Sequence, residues 1–103
     1  MPFSFLWSWW KRAPRPREDL CLVFYTRRGC HLCADALAVL ERARQEYRFP
    51  LEIIDVDTDP KLVEQYGSDV PVVTVNGKLR FRGRVNAVLL RRLLRAELAS
   101  GGR

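Results

Sequence analysis

Leu20-Cys21-Leu22-Val23-Phe24-Tyr25-Thr26-Arg27-Arg28-Gly29-Cys30-His31-Leu32-Cys33 joins a strand-like run, Leu20 to Thr26, to two cysteines that open a helix-like run through Tyr47. Two thiols spaced i, i+3 at a helix start can close a small disulfide ring, and the helix N-terminus favours the thiolate of the first. At a strand-to-helix junction this spacing reads as a redox dithiol. The competing reading is half of a structural zinc site, but such a site normally takes four protein ligands. Beyond the motif the chain offers only Cys21, and its sole histidine, His31, already lies between the two cysteines. A complete zinc site would need a second chain, so redox chemistry is preferred and no metal is expected.

Downstream of the motif, Cys33, Ala36, Leu37, Leu40, Ala43 and Tyr47 fall on one helical stripe, with Asp35, Glu41, Arg42, Arg44 and Arg48 elsewhere. That stripe should face a sheet. Leu51 to Val56 follows Pro50 as a β-rich run, so strand, helix and strand imply a parallel pair with a right-handed crossover. Asp59 before Pro60 is an N-cap with proline at the first helical position, and Gly67 is a fitting stop. Val72 to Val75 and Leu79 to Arg82 flank Asn76-Gly77, the signal for a tight antiparallel hairpin with positive φ at both central residues. Asn86 can cap a last helix whose apolar face is Leu89, Leu90, Leu93, Leu94 and Leu98, with Gly101-Gly102 ending it. The order is βαβαββα, an α/β domain.

The chain has 103 residues, 48% hydrophobic and 29% charged, enough for one domain with one modest core. A formal net charge of +6 favours acidic partners in a general way. No Lys/Arg run with interleaved aromatics lies in the folded part, so no nucleic-acid partner is expected. Three cysteines are too few for a secreted disulfide framework and fit a reducing, cytoplasmic setting with a transient, catalytic disulfide. Cys21, in the middle of an apolar run, is read as a buried core residue without a role.

Residues 1–19 differ from the rest. Phe3, Phe5, Leu6, Trp7, Trp9 and Trp10 crowd together, and Lys11, Arg12, Arg15 and Arg17 then alternate with Pro14 and Pro16. The apolar part is shorter than the ~20 residues of a membrane span and lacks the layout of a secretory signal. The segment is read as an aromatic and basic tail, in preference to a membrane-surface anchor, before a domain at 20–99 and a flexible C-terminus at 100–103.

From Leu20 to Leu98 the residues resemble the glutaredoxin-like branch of the thioredoxin superfamily. Tyr25, Thr26 and Arg27 ahead of Cys30-His31-Leu32-Cys33 are similar to the glutaredoxin signature of an aromatic, a hydroxyl and a basic residue before C-x-x-C. Asp55-Val56-Asp57, Pro60, Tyr66-Gly67 and Val70-Pro71 are similar to the second half of glutaredoxins and thioredoxins. The C-H-L-C form in particular resembles a group of small glutaredoxin-like proteins. The resemblance implies a four-stranded mixed sheet with helices on both faces. It also implies a cis Val70-Pro71 peptide beside the active site, with Val70 and Pro71 contacting substrate and Arg27 matching the residue that holds a glutathione carboxylate. Departures stand beside it. Glutathione-binding members carry Gly-Gly and then an acidic residue before the last helix, where this chain has Gly83-Arg84-Val85-Asn86, and Gly29 replaces the tryptophan of thioredoxins.

The expected reaction is thiol-disulfide exchange, with Cys30 as nucleophile and Cys33 as resolving thiol. Arg27, Arg28 and protonated His31 can stabilise the Cys30 thiolate. The expected partners are protein or low-molecular-weight disulfides, with glutathione or thioredoxin reductase as the source of electrons. No tightly bound cofactor is expected, glutathione acting as a co-substrate where it acts at all, and a monomer is expected. Two other functions fit the family pattern: an iron-sulfur or metal-binding module, and a non-catalytic adaptor of the same fold.

Overall fold

The computed structural model describes residues 19–101; the tail, apart from Asp19, lies outside them. Strand β1 (Leu22–Thr26) leads to helix α1 (His31–Tyr47), strand β2 (Leu51–Asp55), a 3-10 turn (Val56–Thr58), helix α2 (Pro60–Tyr66), the hairpin of β3 (Val72–Val75) and β4 (Lys78–Arg82), and helix α3 (Ala87–Gly101). The strands lie in the order β2-β1-β3-β4, with β1 parallel to β2, β3 antiparallel to β1, and β4 antiparallel to β3. This is the mixed four-stranded sheet and βαβαββα order expected.

One face of the sheet carries most of the core. Leu22 and Phe24 of β1 and Val73 and Val75 of β3 pack with Ala36, Leu40 and Ala43 of α1 and Leu90 and Leu94 of α3. On the other face Tyr25 meets Tyr66 at the end of α2, ring centroids 4.6 Å apart, so helices cover both faces. The α1 stripe buries Cys33, Ala36, Leu40, Ala43 and Tyr47, the 3.6-residue spacing that the sequence displays. Arg48 ends α1 in the left-handed conformation at φ 58°, its N–H donating to the Arg44 carbonyl at 2.7 Å.

Three expectations need correction. Cys21 is exposed: β1 begins at Leu22, and the buried positions alternate as Leu20, Leu22 and Phe24, which turns Cys21 to the opposite side. Leu89 is 53% exposed, because five leucines spread over more of α3 than the stripe that reaches the sheet, where Leu90 and Leu94 are fully buried. The β2 strand stops at Asp55, where the Asp55 carboxylate accepts from the Asp57 N–H and the Asp55 carbonyl accepts from the Thr58 hydroxyl, curling the chain into the 3-10 turn.

The hairpin forms as expected, with Asn76 at φ 52° and Gly77 at φ 84°. Asn76 does more than turn the chain. Its Oδ1 accepts from the Cys21 N–H, its own N–H donates to the Cys21 carbonyl, and its Nδ2 donates to the Asp19 carbonyl and to the Glu97 carboxylate. The start of the domain, the hairpin and the end of α3 are thereby tied together at one pole.

Candidate active site

At the other pole β1 delivers Arg27, Arg28 and Gly29 into the loop before α1. Gly29 sits at φ 77°, a left-handed conformation in which an L side chain is strained. This turn places Cys30 as the N-cap of α1. Cys30 is half-buried and Cys33 is buried, and the two form a disulfide with Cα atoms 5.2 Å apart. The Cys33 N–H at the helix start donates to Cys30 Sγ at 3.2 Å. That N–H, shared with the Cys30 carbonyl at 3.2 Å, and the positive end of the helix dipole both act on the first sulfur, which favours its anionic state once the disulfide is reduced.

Opposite the pair lies the Val70-Pro71 peptide, which is cis as the resemblance implied. The Val70 carbonyl oxygen is 3.8 Å from Cys30 Sγ. The Pro71 carbonyl accepts from the N–H of Gly83 at 2.8 Å, and Gly83 has φ 88°. This bond anchors the loop to the segment that leads into α3. Cys30, Cys33, Val70 and Pro71 are thus brought together.

Arg27 is engaged elsewhere. Its Nε and Nη2 donate to the two carboxylate oxygens of Asp57 at 3.1 and 2.7 Å, and its Nη1 donates to the Gly67 carbonyl at 3.0 Å. Three elements are stapled in this way: the end of β1, the 3-10 turn and the end of α2. The hydrogen bonds from Arg27 hold the Asp57 carboxyl below the usual carboxylate range, and the charges of Arg27 and Arg28 act in the same direction. Arg28, two residues before the motif, and His31, inside it, are exposed. The Asn86 side chain is also occupied, its Oδ1 accepting from the N–H groups of Val88 and Leu89 at 2.9 and 3.0 Å as the cap of α3. Among the described residues no three His, Cys, Asp or Glu side chains gather in a way that could hold a metal ion.

Sequence reasoning missed Asp57 and Gly67 as partners of Arg27, and Gly83 as the anchor of the Pro71 loop. The Asp57 contact spans 30 residues and that to Gly67 40, so neither leaves a local pattern. Replacing Arg27 with Met should lower the melting temperature at pH 7. Because the Asp57 pKa is depressed in the folded protein, its stabilising contribution is present above the unfolded carboxylate value, about 4, and is lost as pH falls through the folded value. The gap between Arg27→Met and the parent should therefore narrow in acid, down to the share due to the Gly67 carbonyl. Melts from pH 7 to pH 2 check this, and a gap constant down to pH 2 would remove Asp57 from the account.

The profile of the family described as Glutaredoxin-like domain (DUF836) matches residues 21–95. A Dictyostelium discoideum protein described as Glutaredoxin-like protein YDR286C homolog is 33% identical over 75 residues, covering 67% of this chain and 69% of that protein. Among solved structures, protein XcR50 from X. campestris is 32% identical with a TM-score of 0.62, covering 73% of this chain and 96% of that one. Protein Ne2328 from Nitrosomonas europaea is 28% identical with a TM-score of 0.64, covering 78% and 96%. A chloroplastic thioredoxin z, 19% identical with a TM-score of 0.66 and 81% of each chain covered, shares the fold.

Proposed function

The chain belongs to the glutaredoxin-like (DUF836) family of the thioredoxin superfamily, and on that footing we propose that it is a thiol-disulfide oxidoreductase working through Cys30 and Cys33. The observation that carries this reading is the Cys33 N–H donating to Cys30 Sγ at a helix start, with Cys30 the more exposed of the two sulfurs. In the reduced protein the Cys30 thiolate attacks one sulfur of a substrate disulfide. A Cys30-substrate disulfide forms, and the other substrate sulfur leaves as a thiolate that takes a proton from water. The Cys33 thiolate, its proton lost to water, then attacks Cys30 Sγ. The Cys30-Cys33 disulfide closes, and the second substrate thiol is released. Two electrons pass from the dithiol to the substrate, and a dithiol reductant returns them. The Val70-Pro71 loop lines the approach to Cys30, where the backbone beside a cis proline is suited to lie along the substrate chain.

Protein disulfides fit this site better than glutathione mixed disulfides. A glutathione tripeptide calls for a free cation for its carboxylate and an anion for its ammonium. Arg27 already serves Asp57 and Gly67, and Asn86 caps α3 with a neutral amide. These engagements favour a structural role for Arg27 and leave Arg28 as the cation next to the motif.

Two assays run side by side test the proposal: insulin reduction coupled to thioredoxin reductase or dithiothreitol, and reduction of a glutathione mixed disulfide coupled to glutathione reductase. Insulin reduction should be evident and glutathione-dependent turnover weak. Rapid glutathione-dependent turnover overturns the choice of substrate, and silence in both assays overturns the oxidoreductase reading.

A further inference from the structure

A seam between α1 and α3 begins at the redox motif and leads away from it. Its first hollow, about 200 Å3, is lined by Leu32 of the motif with Val39, Val85 and Arg84. The second, about 250 Å3, is lined by Val39, Ala87 and Leu90 with Arg42 and Arg91. Val39 lines both, so the two hollows are neighbours along α1. The floor is apolar and the border is mostly cationic. Arg42 and Arg84 form no ion pair among the described residues, Arg91 is paired loosely with Glu46 at 3.5 Å, and Asp35 is the one carboxylate lining either hollow. From Leu32 to Ala43 the seam runs about 16 Å at the helical rise of 1.5 Å per residue. That length suits about five extended residues.

We propose that this seam docks an acidic segment with apolar side chains, adjacent to the attacked cysteine in the protein whose disulfide is reduced. This rests on the oxidoreductase reading and adds what selects the substrate. Leu32, two residues from Cys30, lines the first hollow and sets the segment near the motif, the apolar floor takes side chains such as leucine, and the guanidinium groups of Arg42 and Arg84, without an ion pair among the described residues, meet carboxylates. A basic segment would face Arg42, Arg84 and Arg91 with like charge, which selects against it.

The probes are synthetic peptides, each with one cysteine joined to thionitrobenzoate and followed by leucines alternating with either glutamates or lysines. The reduced protein attacks the peptide sulfur, forms the Cys30-peptide disulfide and releases coloured thionitrobenzoate. Cys33 then closes on Cys30 and frees the peptide thiol. At low ionic strength the glutamate peptide should react about tenfold faster or more than the lysine peptide, with the ratio shrinking as salt rises. In the double variant Arg42→Glu, Arg84→Glu the ratio should fall to about one. Arg42→Gln with Arg84→Gln reads the same ratio with a milder change. Lys61→Glu with Lys78→Glu alters net charge equally, away from the seam, and should keep most of the preference. A glutamate peptide with serines in place of leucines should react more slowly than its leucine counterpart. Equal loss of preference in the Lys61 and Lys78 control assigns the effect to overall charge and overturns the seam. Reaction with 2-hydroxyethyl disulfide separates the two layers: normal reaction without acidic preference overturns the docking proposal alone, and no reaction overturns the oxidoreductase reading and this proposal with it.

Discussion

Cys33→Ser should accumulate a stable mixed disulfide with whatever disulfide Cys30 attacks, Cys30→Ser should accumulate none, and dithiol-driven turnover should fall below detection in both. The asymmetry follows from position. Cys30 is half-buried at the helix start and accepts the Cys33 N–H, whereas Cys33 is buried against the core cluster that includes Ala36 and Leu40. An attacking thiolate must be both stabilised and reachable, and only the first sulfur meets both conditions. Loss of the second sulfur leaves the first step intact and removes the route by which the intermediate resolves. Intact-mass spectra after exposure to a small disulfide report the adduct directly. Equal adducts on the two variants would refute the order of attack.

Gly67→Ala should be among the most damaging single-methyl changes in the domain. Gly67 is buried, and its backbone is right-handed, φ −52° and ψ −38°, so no left-handed conformation calls for glycine. The need is for space. A Cβ there would strike the carbonyl oxygen of Val63, a backbone atom, and would lie 3.2 Å from Nη1 of Arg27. The Gly67 N–H donates to that same Val63 carbonyl at 2.8 Å, and the Gly67 carbonyl accepts from Arg27, so the end of α2 cannot shift without loosening both bonds. Overpacking of this kind costs about 1–3 kcal/mol. For a domain of this size that is roughly 4–20 °C in melting temperature. Since Gly67 precedes Val70-Pro71 by only a few residues, insulin reduction should fall along with stability. An unchanged melting temperature would show that α2 yields freely and that Arg27 does not hold it.

Elements whose signal is local are legible in the amino-acid sequence. Asn76-Gly77, Asp59-Pro60, Asn86 and the α1 stripe each carry their own reason for turning, capping or facing inward, and each does so in the folded chain. Cys21 shows where that legibility ends, because an apolar run does not reveal which neighbour covers each side of a strand. Gly67 does end a helix, but crowding rather than φ is the cause, and a glycine required by one looks the same in sequence as a glycine required by the other. The redox pair is visible because its two residues are three apart and share a helix start. Arg27 is visible only as a cation near that pair. Asp57 and Gly67 reach it through folding alone, so its commitments emerge only in space.

The contacts of Asn76 have an architectural consequence. They gather Asp19, Cys21 and Glu97 at the end of β1 remote from Cys30, so the described chain comes in and goes out through the same base. Five residues of β1 at about 3.3 Å each separate that base from the loop before Cys30, roughly 17 Å. The domain is therefore built like a plug, wired from behind with its reactive tip in front. A tether, a fused protein or a solid support joined directly to Asp19 or Gly101 is attached at that base, with Cys30 beyond the far end of β1. Splicing the domain into a surface loop of a host protein should likewise leave the dithiol presented outward, since both junctions sit on one side.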